Sequence, residues 1–446
     1  MKNKIYSLLT ISVLSFFTAN AQLPNPVLVG YYETWNNFKL SQVNFNYNVI
    51  DVAFAKPSFG TTSNMVFSSP SGYSGTIAQQ KIDFIADIDA LHAQGKIVLL
   101  SIGGANDPIF LANSTDKTTF ISSILQIFSS YSYKFDGLDL DLETTSLNFG
   151  AWTMSAPAVG QTNMVTAIQS IMSSFQTQTG KKMILTMAPE CVYVQGGLSN
   201  WQTNNVNGGA YLPIINGLRN ELDLLHCQLY NAGGVNGGMF ASNGQVYYDT
   251  SPNFITAMTE TVIKGFTLVA GKGTFTGVPA NKIAIGLPAN SCTAAGTGYV
   301  IPADVCLAAK YLKGDISKPA GWTYTRTATY PDLRGLMTWS INEDNKTCNG
   351  AWSFANNFSC AFTVSTGTES LDEVVKNKIY PNPSTNNFTL QTAAFSNIKV
   401  YDVSGKMIEE ISSSGNISFG DHWNSGIYFV KIISNEGEAN FKIIKY

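Results

Sequence analysis

The densest chemistry in the chain lies in nine residues, Phe135-Asp-Gly-Leu-Asp-Leu-Asp-Leu-Glu143. In an extended strand side chains alternate faces, so Asp139, Asp141 and Glu143 share one side and Leu138, Leu140 and Leu142 the other. A rise of about 3.3 Å per residue puts the Asp141 and Glu143 Cα atoms about 6.6 Å apart. Their carboxyls can then interact, and each raises the other's proton affinity. One of the two can stay protonated near neutral pH and serve as a general acid. Three uses fit such a run: a structural cluster of hydrogen-bonded carboxylates, a hard-cation site in which Asp-x-Asp-x-Glu holds magnesium, and glycoside hydrolysis. Three carboxylates on one buried face are costly to keep without a use.

The composition narrows the partners. Net charge is −3, with three arginines, Arg219, Arg326 and Arg334. Nucleic acid and phosphate-rich ligands call for Arg and Lys clusters, so they are excluded. His92, His226 and His422 are far apart in sequence, so a histidine metal site or histidine-based triad is not expected, and the catalytic groups should be carboxylates. Charged residues are only 13%, against about 25% in ordinary domains. Aromatic residues reach 12%, a supply of rings on which sugars could stack, and 44% apolar content rules out global disorder.

The elements that must position the acids can be read from periodicity. Apolar, β-branched runs recur at residues 27–32, 49–54, 97–102, 137–142, 183–188, 224–230, 283–287 and 335–339. Helical spacing appears between them, as at 82–94, 118–130, 165–177 and 254–263. This alternation predicts an α/β fold, a (β/α)8 TIM barrel over residues 22–362. Glu143 then falls at the C-terminal end of the fourth strand, where barrel active sites lie. An open doubly wound sheet is the alternative, but no Gly-rich phosphate loop follows the first run. A polar linker is expected at 363–371. Beyond it, residues 372–446 show short alternating runs separated by turn signals, which predicts a small all-β sandwich.

The N-terminus has a basic start, an apolar run from Ile5 to Phe17, and a small-x-small site at Ala19-Asn20-Ala21. Residues 1–21 are therefore expected to be a removable signal peptide. The run is too short to span about 30 Å of hydrocarbon as a helix, and no membrane span is expected later. Export permits disulfides. All six cysteines lie between 191 and 360. Short loops make Cys292–Cys306 and Cys348–Cys360 the expected pairs. Cys191 and Cys227 either pair or remain buried thiols.

Several motifs carry a family resemblance. Asp136-Gly-Leu-Asp139-Leu-Asp141-Leu-Glu143 resembles the Asp-x-x-Asp-x-Asp-x-Glu signature of glycoside hydrolase family 18, the chitinase family. Ser101-Ile-Gly-Gly104 is similar to its third-strand motif and Val29-Gly-Tyr-Tyr32 to its first strand. Met187-Ala-Pro-Glu190 and Gln228-Leu-Tyr-Asn231 are similar to the fifth- and sixth-strand ends of its bacterial chitinase D-like branch. Trp339 falls where the family keeps its eighth-strand tryptophan. Gln228 and Asn231 stand where many members carry Met and Asp. The resemblance covers residues 25–345.

It implies an endo-acting chitinase that hydrolyses β-1,4-linked N-acetylglucosamine with retention, by substrate assistance. Glu143 would protonate the scissile oxygen and later activate water. The substrate's 2-acetamido oxygen would attack the anomeric carbon to give an oxazolinium ion. Asp141 would orient the acetamido group, Asp139 would hydrogen-bond Asp141, and the Tyr230 hydroxyl would hold the acetamido oxygen. Trp339 would floor the subsite, with Gln228, Asn231, Tyr31, Met187 and Phe54 as further substrate-binding residues. Trp35, Trp152, Trp201 and Trp322 are candidates for outer subsites, and Glu190 for a non-catalytic cleft residue. The resemblance calls for no metal and no cofactor, and a monomer is expected. An endo-β-N-acetylglucosaminidase cutting the core of N-glycans would use the same acids. A non-catalytic chitin-binding lectin is a third reading, against which Glu143 itself argues.

The tail resembles a type A C-terminal sorting domain, through Ile379-Tyr-Pro-Asn-Pro-Ser384, Val400-Tyr-Asp-Val-Ser-Gly405 and Gly426-Ile-Tyr-Phe-Val-Lys431. That resemblance implies export by the type IX secretion machinery of Bacteroidota, removal of the tail, and a secreted or cell-surface enzyme. A carbohydrate-binding module is the rival. It would need a flat aromatic row that Tyr380, Tyr401 and Trp423 do not supply.

Overall fold

Each of the eight apolar runs contributes a parallel strand in a computed structural model of the chain. It describes residues 22–203, 206–232, 238–362, 378–391, 396–413, 416–434 and 437–446. The expected signal peptide and linker lie outside those residues. The chain divides into two units, residues 1–363 and 364–446.

The strands of the first unit are β1 (Val27–Glu33), β2 (Val49–Pro57), β3 (Ile97–Gly103), β4 (Gly137–Asp141), β5 (Ile184–Met187), β6 (Leu224–Leu225), β7 (Ala284–Pro288) and β8 (Gly335–Trp339). They neighbour one another in the order β7-β8-β1-β2-β3-β4-β5-β6. The ring closes through bridges from Leu225 to Ile283 and from Gln228 to Gly286. This is the expected (β/α)8 barrel. The sixth strand is the weakest match to its expected run: only Leu224 and Leu225 pair regularly, and from there the chain makes isolated bridges.

Alternation sorts the side chains into two layers. Val29, Val49, Leu99, Ile184 and Met337 fill the barrel interior. Leu138, Leu140 and Leu142 face outward and join Leu100, Leu185 and the helix residues Phe120, Ile168 and Phe175. Each such buried apolar side chain contributes roughly 1.5–3 kcal/mol, which holds the acidic faces of the strands inward against their mutual repulsion.

The main helices are α1 (Ile77–His92), α2 (Ser114–Ser130), α3 (Val159–Thr179), α4 (Leu212–Gly217), α5 (Pro252–Lys264), α6 (Pro302–Lys313), α7 (Ile341–Asp344) and α8 (Ser353–Ala361). The first three and α5 begin two to six residues before the apolar periodicity does. Side-chain caps fix the starts of α1, α2 and α5 instead. Thr76 accepts from Gln79 N–H, Asn113 from Thr115 and Asp116, and Ser251 from Asn253.

Strands of the second unit form a three-stranded and a four-stranded antiparallel sheet. Their shared core contains Phe388, Val400, Phe419, Trp423, Val430 and Ile443. Trp423 is therefore a core residue, which removes it from any exposed aromatic row. Among the described residues no helix is long and apolar enough to cross a membrane.

The disulfides correct the expected pairing. Cys292 bonds Cys348, and Cys306 bonds Cys360, with separations of 56 and 54 residues. Cys306 lies on α6 and Cys360 on α8, and those two helices pack together. A rigid helix between Cys348 and Cys360 keeps those two apart, so helix packing overrides loop length. Cys191 and Cys227 are buried free thiols. Loops of this length give a cross-link worth about 4 kcal/mol in the chain-entropy account. Replacing Cys306 and Cys360 together by alanine is therefore expected to lower the urea midpoint substantially. A midpoint equal to that of the parent would show that α8 is held by packing alone.

Candidate active site

The period-two rule brings Asp139 and Asp141 inside the barrel, both essentially inaccessible to solvent. Asp139 is surrounded by hydroxyls from three strands. Tyr31 Oη donates to Asp139 Oδ2 at 2.6 Å, Ser101 Oγ to the same oxygen at 2.7 Å, and Thr186 Oγ1 to Oδ1 at 2.7 Å. Asp141 Oδ1 accepts from Gln228 Nε2 at 2.7 Å. The same amide reaches Glu143 Oε1 at 3.2 Å and the Ala188 carbonyl at 3.0 Å. One neutral donor thus links the two upper acids.

Glu143 lies just beyond the end of β4, at the start of a 3-10 turn, Thr144–Leu147. Its neighbour across the strand ends is Glu190, whose Oε2 accepts from the Thr144 N–H at 3.0 Å and the Thr144 hydroxyl at 3.2 Å. The approach of β3 to this corner depends on two glycines. A Cβ on Gly103 would lie 2.1 Å from the Asp141 carbonyl oxygen, and one on Gly104 would lie 2.8 Å from the Phe54 ring. Both glycines have positive φ, which side-chain-bearing residues rarely adopt.

Burial and like charge set the protonation of the column. Burial pushes Glu143 up to about 7, with the Glu190 charge adding to the shift and the bonds from Gln228 and Asp141 opposing it. Burial, then Glu143, Asp139 and Glu190, hold Asp141 well above the usual carboxylate range. Burial also raises Glu190, against its bonds to Thr144. A carboxyl half protonated near neutrality at the mouth of a cavity is what a general acid–base requires.

That cavity has a volume of about 530 Å³. Glu143, Glu190, Gln228, Tyr230, Asn231, Phe54 and Trp339 all line it, together with Trp35. Three of these rings make an apolar platform. Phe54 and Trp339 stack at 5.9 Å with 10° between planes, and Trp35 stacks on Phe54 at 6.1 Å. Asn231 is held in the left-handed region, and its Oδ1 accepts from the Thr297 N–H at 3.0 Å.

Two expected substrate-binding residues lie elsewhere. Met187 alternates with Thr186 and packs in the outer layer between strands and helices, away from the cavity. Tyr31 sits beneath the platform with its hydroxyl committed to Asp139. Of the four tryptophans considered for outer subsites, only Trp35 lines the cavity. Trp152 is buried beneath Lys272, Trp322 packs edge-on against Tyr311, and Trp201 lines a separate hollow of about 230 Å³. The hollow and the Trp152 burial depend on long-range packing that no local pattern records.

Sequence reasoning missed the rim pair Lys56 and Asp107, 3.9 Å apart, since nothing in their local sequence marks them. It also missed His226 and Asp51, which meet at the barrel axis beside Asp139. Scarcity of histidine argued against a histidine centre, yet one histidine just beyond β6 places its ring between two buried carboxylates.

Comparison with known proteins agrees with this geometry. Residues 27–357 match the model of glycosyl hydrolases family 18, and residues 378–446 that of the secretion system C-terminal sorting domain. Chitinase Chi52 of Paenibacillus xylanexedens is 38% identical over 349 residues, 75% of this chain and 63% of that protein. Chitinase D of Niallia circulans is 37% identical over 357 residues, 78% of this chain and 63% of its own length. The chain thus spans under two thirds of the length of these relatives. A family GH18 chitinase structure from Chromobacterium violaceum superposes with a TM-score of 0.63 at 33% identity, over 76% of this chain and 84% of that one. The stacked carboxylates, the aromatic platform and these matches converge: the chain belongs to family 18 of the glycosyl hydrolases and carries a secretion-system C-terminal sorting domain.

Proposed function

We propose that this protein is a chitinase that cleaves β-1,4-linked N-acetylglucosamine within the polymer, using Glu143 as general acid and then general base. The observation that carries this reading is the position of Glu143 on the wall of the cavity, with its carboxyl held near half protonation by burial and by Glu190. The protonated acid donates to the glycosidic oxygen, and the resulting carboxylate takes a proton from water in the second step.

The nucleophile in this reading is the acetamido oxygen of the substrate itself. Asp141 is buried and tied to Gln228, and one oxygen of Glu190 is engaged by Thr144, which favours the internal nucleophile over either carboxylate. Asp141 orients the acetamido N–H and stabilises the positive charge of the oxazolinium ion. Tyr230 Oη holds the acetamido oxygen in line, and the Trp339–Phe54–Trp35 platform stacks beneath the sugar ring. The apolar platform of Trp339, Phe54 and Trp35 suits stacking on an uncharged sugar ring. The sorting domain supports delivery through a type IX system to the outside of the cell, where the polymer is met.

The following outcomes test this. Glu143→Gln is expected to lower kcat on chitin oligosaccharides by roughly 10²–10⁴-fold with KM little changed; near-normal turnover would remove Glu143 from the role of acid. Fully deacetylated polymer should not be cleaved, because it lacks the internal nucleophile, and equal rates on both polymers would exclude substrate assistance. Release of intact glycans from a high-mannose glycoprotein without chitin cleavage would move the assignment to the N-glycan core. Finally, kcat/KM should fall as pH rises through about 7, where Glu143 loses its proton. Glu190→Gln removes a like charge, so this alkaline limb should move to lower pH. An unmoved limb would leave burial as the sole cause of the shift.

A further inference from the structure

The least satisfied polar groups in the described barrel lie below the acids. Asp51 projects inward from β2, and His226 follows β6; both are wholly buried. Neither oxygen of Asp51 and neither ring nitrogen of His226 has a hydrogen-bond partner among the described residues. His226 Nε2 nevertheless faces two carboxylates at once, Asp51 Oδ2 at 3.6 Å and Asp139 Oδ1 at 3.4 Å. Buried polar atoms left without partners are expensive, so a group or a proton belongs between them.

Two occupants fit, a cation or a proton. One ligand atom from each of Asp51, Asp139 and His226 lies within 4.8 Å of the others. Asp139, however, already accepts three hydroxyl hydrogen bonds, from Tyr31, Ser101 and Thr186. Its oxygens are directed at donors from three strands, which leaves two orphaned groups for the site rather than three. The proton is favoured.

We propose that Asp51 and His226 hold one proton in common, on the line from Asp51 Oδ2 to His226 Nε2, and that this shared proton steadies the Asp139 carboxylate beneath the catalytic acids. When the proton is on Asp51, that carboxyl donates to Nε2. When it moves to Nε2, the imidazolium faces Asp51 and Asp139 together, and the pair as a whole keeps the same charge. The two residues are positioning residues, acting through Asp139 on Asp141 and Glu143. The titratable groups that face the imidazole are Asp51 from β2, Asp139 from β4 and Tyr31 from β1, whose ring lies edge-on at 6.1 Å, with Asp141 next along β4. Burial, then the Asp139 charge, holds Asp51 well above the usual carboxylate range, and burial lowers His226.

The inference rests on the chitinase reading above for its kinetic readout, and a second readout is independent of it. In the full-length protein, a proton resonance far downfield of the amides should be present and should vanish in both Asp51→Asn and His226→Gln. On chitin oligosaccharides, each variant should lose about tenfold in kcat with KM held within about twofold. His226→Gln should also move the acidic limb of the pH profile upward, since Asp139 and the carboxylates above it lose the imidazolium that faces them. The double variant should match either single variant rather than add to it, because both remove the same proton. Additive losses with an unmoved limb would reduce the pair to a packing role and overturn the proposal. One equivalent of a divalent metal retained after dialysis would overturn it in favour of an ion. Should the single variants fail to fold, the wild-type resonance decides: its absence refutes the shared proton. Lack of any chitin cleavage by the wild type would sink the functional reading while leaving the resonance to judge the pair.

Discussion

The structure depends on keeping an anion, Asp139, in the middle of a barrel. An unpaired carboxylate there would be untenable. Three hydroxyls, one each from β1, β3 and β5, converge on its two oxygens within 2.7 Å. Those donors come from strands far apart in sequence, so the fold must close before the anion is satisfied. The same bonds lock the register of β4, and β4 carries Asp141 and leads to Glu143. Stability and chemistry therefore share one set of contacts, with the leucines on the opposite face of β4 supplying the apolar anchor.

Above that anion the environment grades from dry to wet. Asp141 is inaccessible, whereas Glu143 is half-buried and reaches the cavity. This gradient gives chemically similar groups different environments, and in the proposed reaction it would leave the deep carboxyls to orient and the outermost to exchange protons. Glu190 reinforces the gradient by adding negative charge beside Glu143 while its own oxygen is held by Thr144. The aromatic platform of Phe54, Trp339 and Trp35 supplies the opposite wall without adding charge.

Much of this was legible from local pattern. The two-residue spacing of Asp139, Asp141 and Glu143 correctly put them on one side, because alternation is a property of any extended chain. The alternating apolar runs gave the strands for the same reason. What local pattern could not give was depth and distant pairing. Tyr31 was expected to touch substrate, but it points down the barrel to Asp139, and Met187 lies one residue out of phase with the inward-facing Thr186. The disulfides were misassigned because loop length says nothing of helix packing, and α6 and α8 decide that pairing. The starts of α1 and α2 were concealed because their caps, Thr76 and Asn113, act through hydrogen bonds and leave no apolar period.

Two amides beyond the end of β6, Gln228 and Asn231, bear on the same charge problem. Gln228 donates to Asp141, Glu143 and the Ala188 carbonyl direction through one nitrogen, which draws two carboxyls together without a cation. Asn231 lines the cavity wall without a charge, and its oxygen is spent on the Thr297 N–H. With Glu190 contributing a negative charge on the neighbouring strand end, an aspartate at 231 would have added another to a cavity that already raises Glu143 to about 7. The amides add no charge beside Glu143, and the weakly paired sixth strand of the barrel leads directly to both.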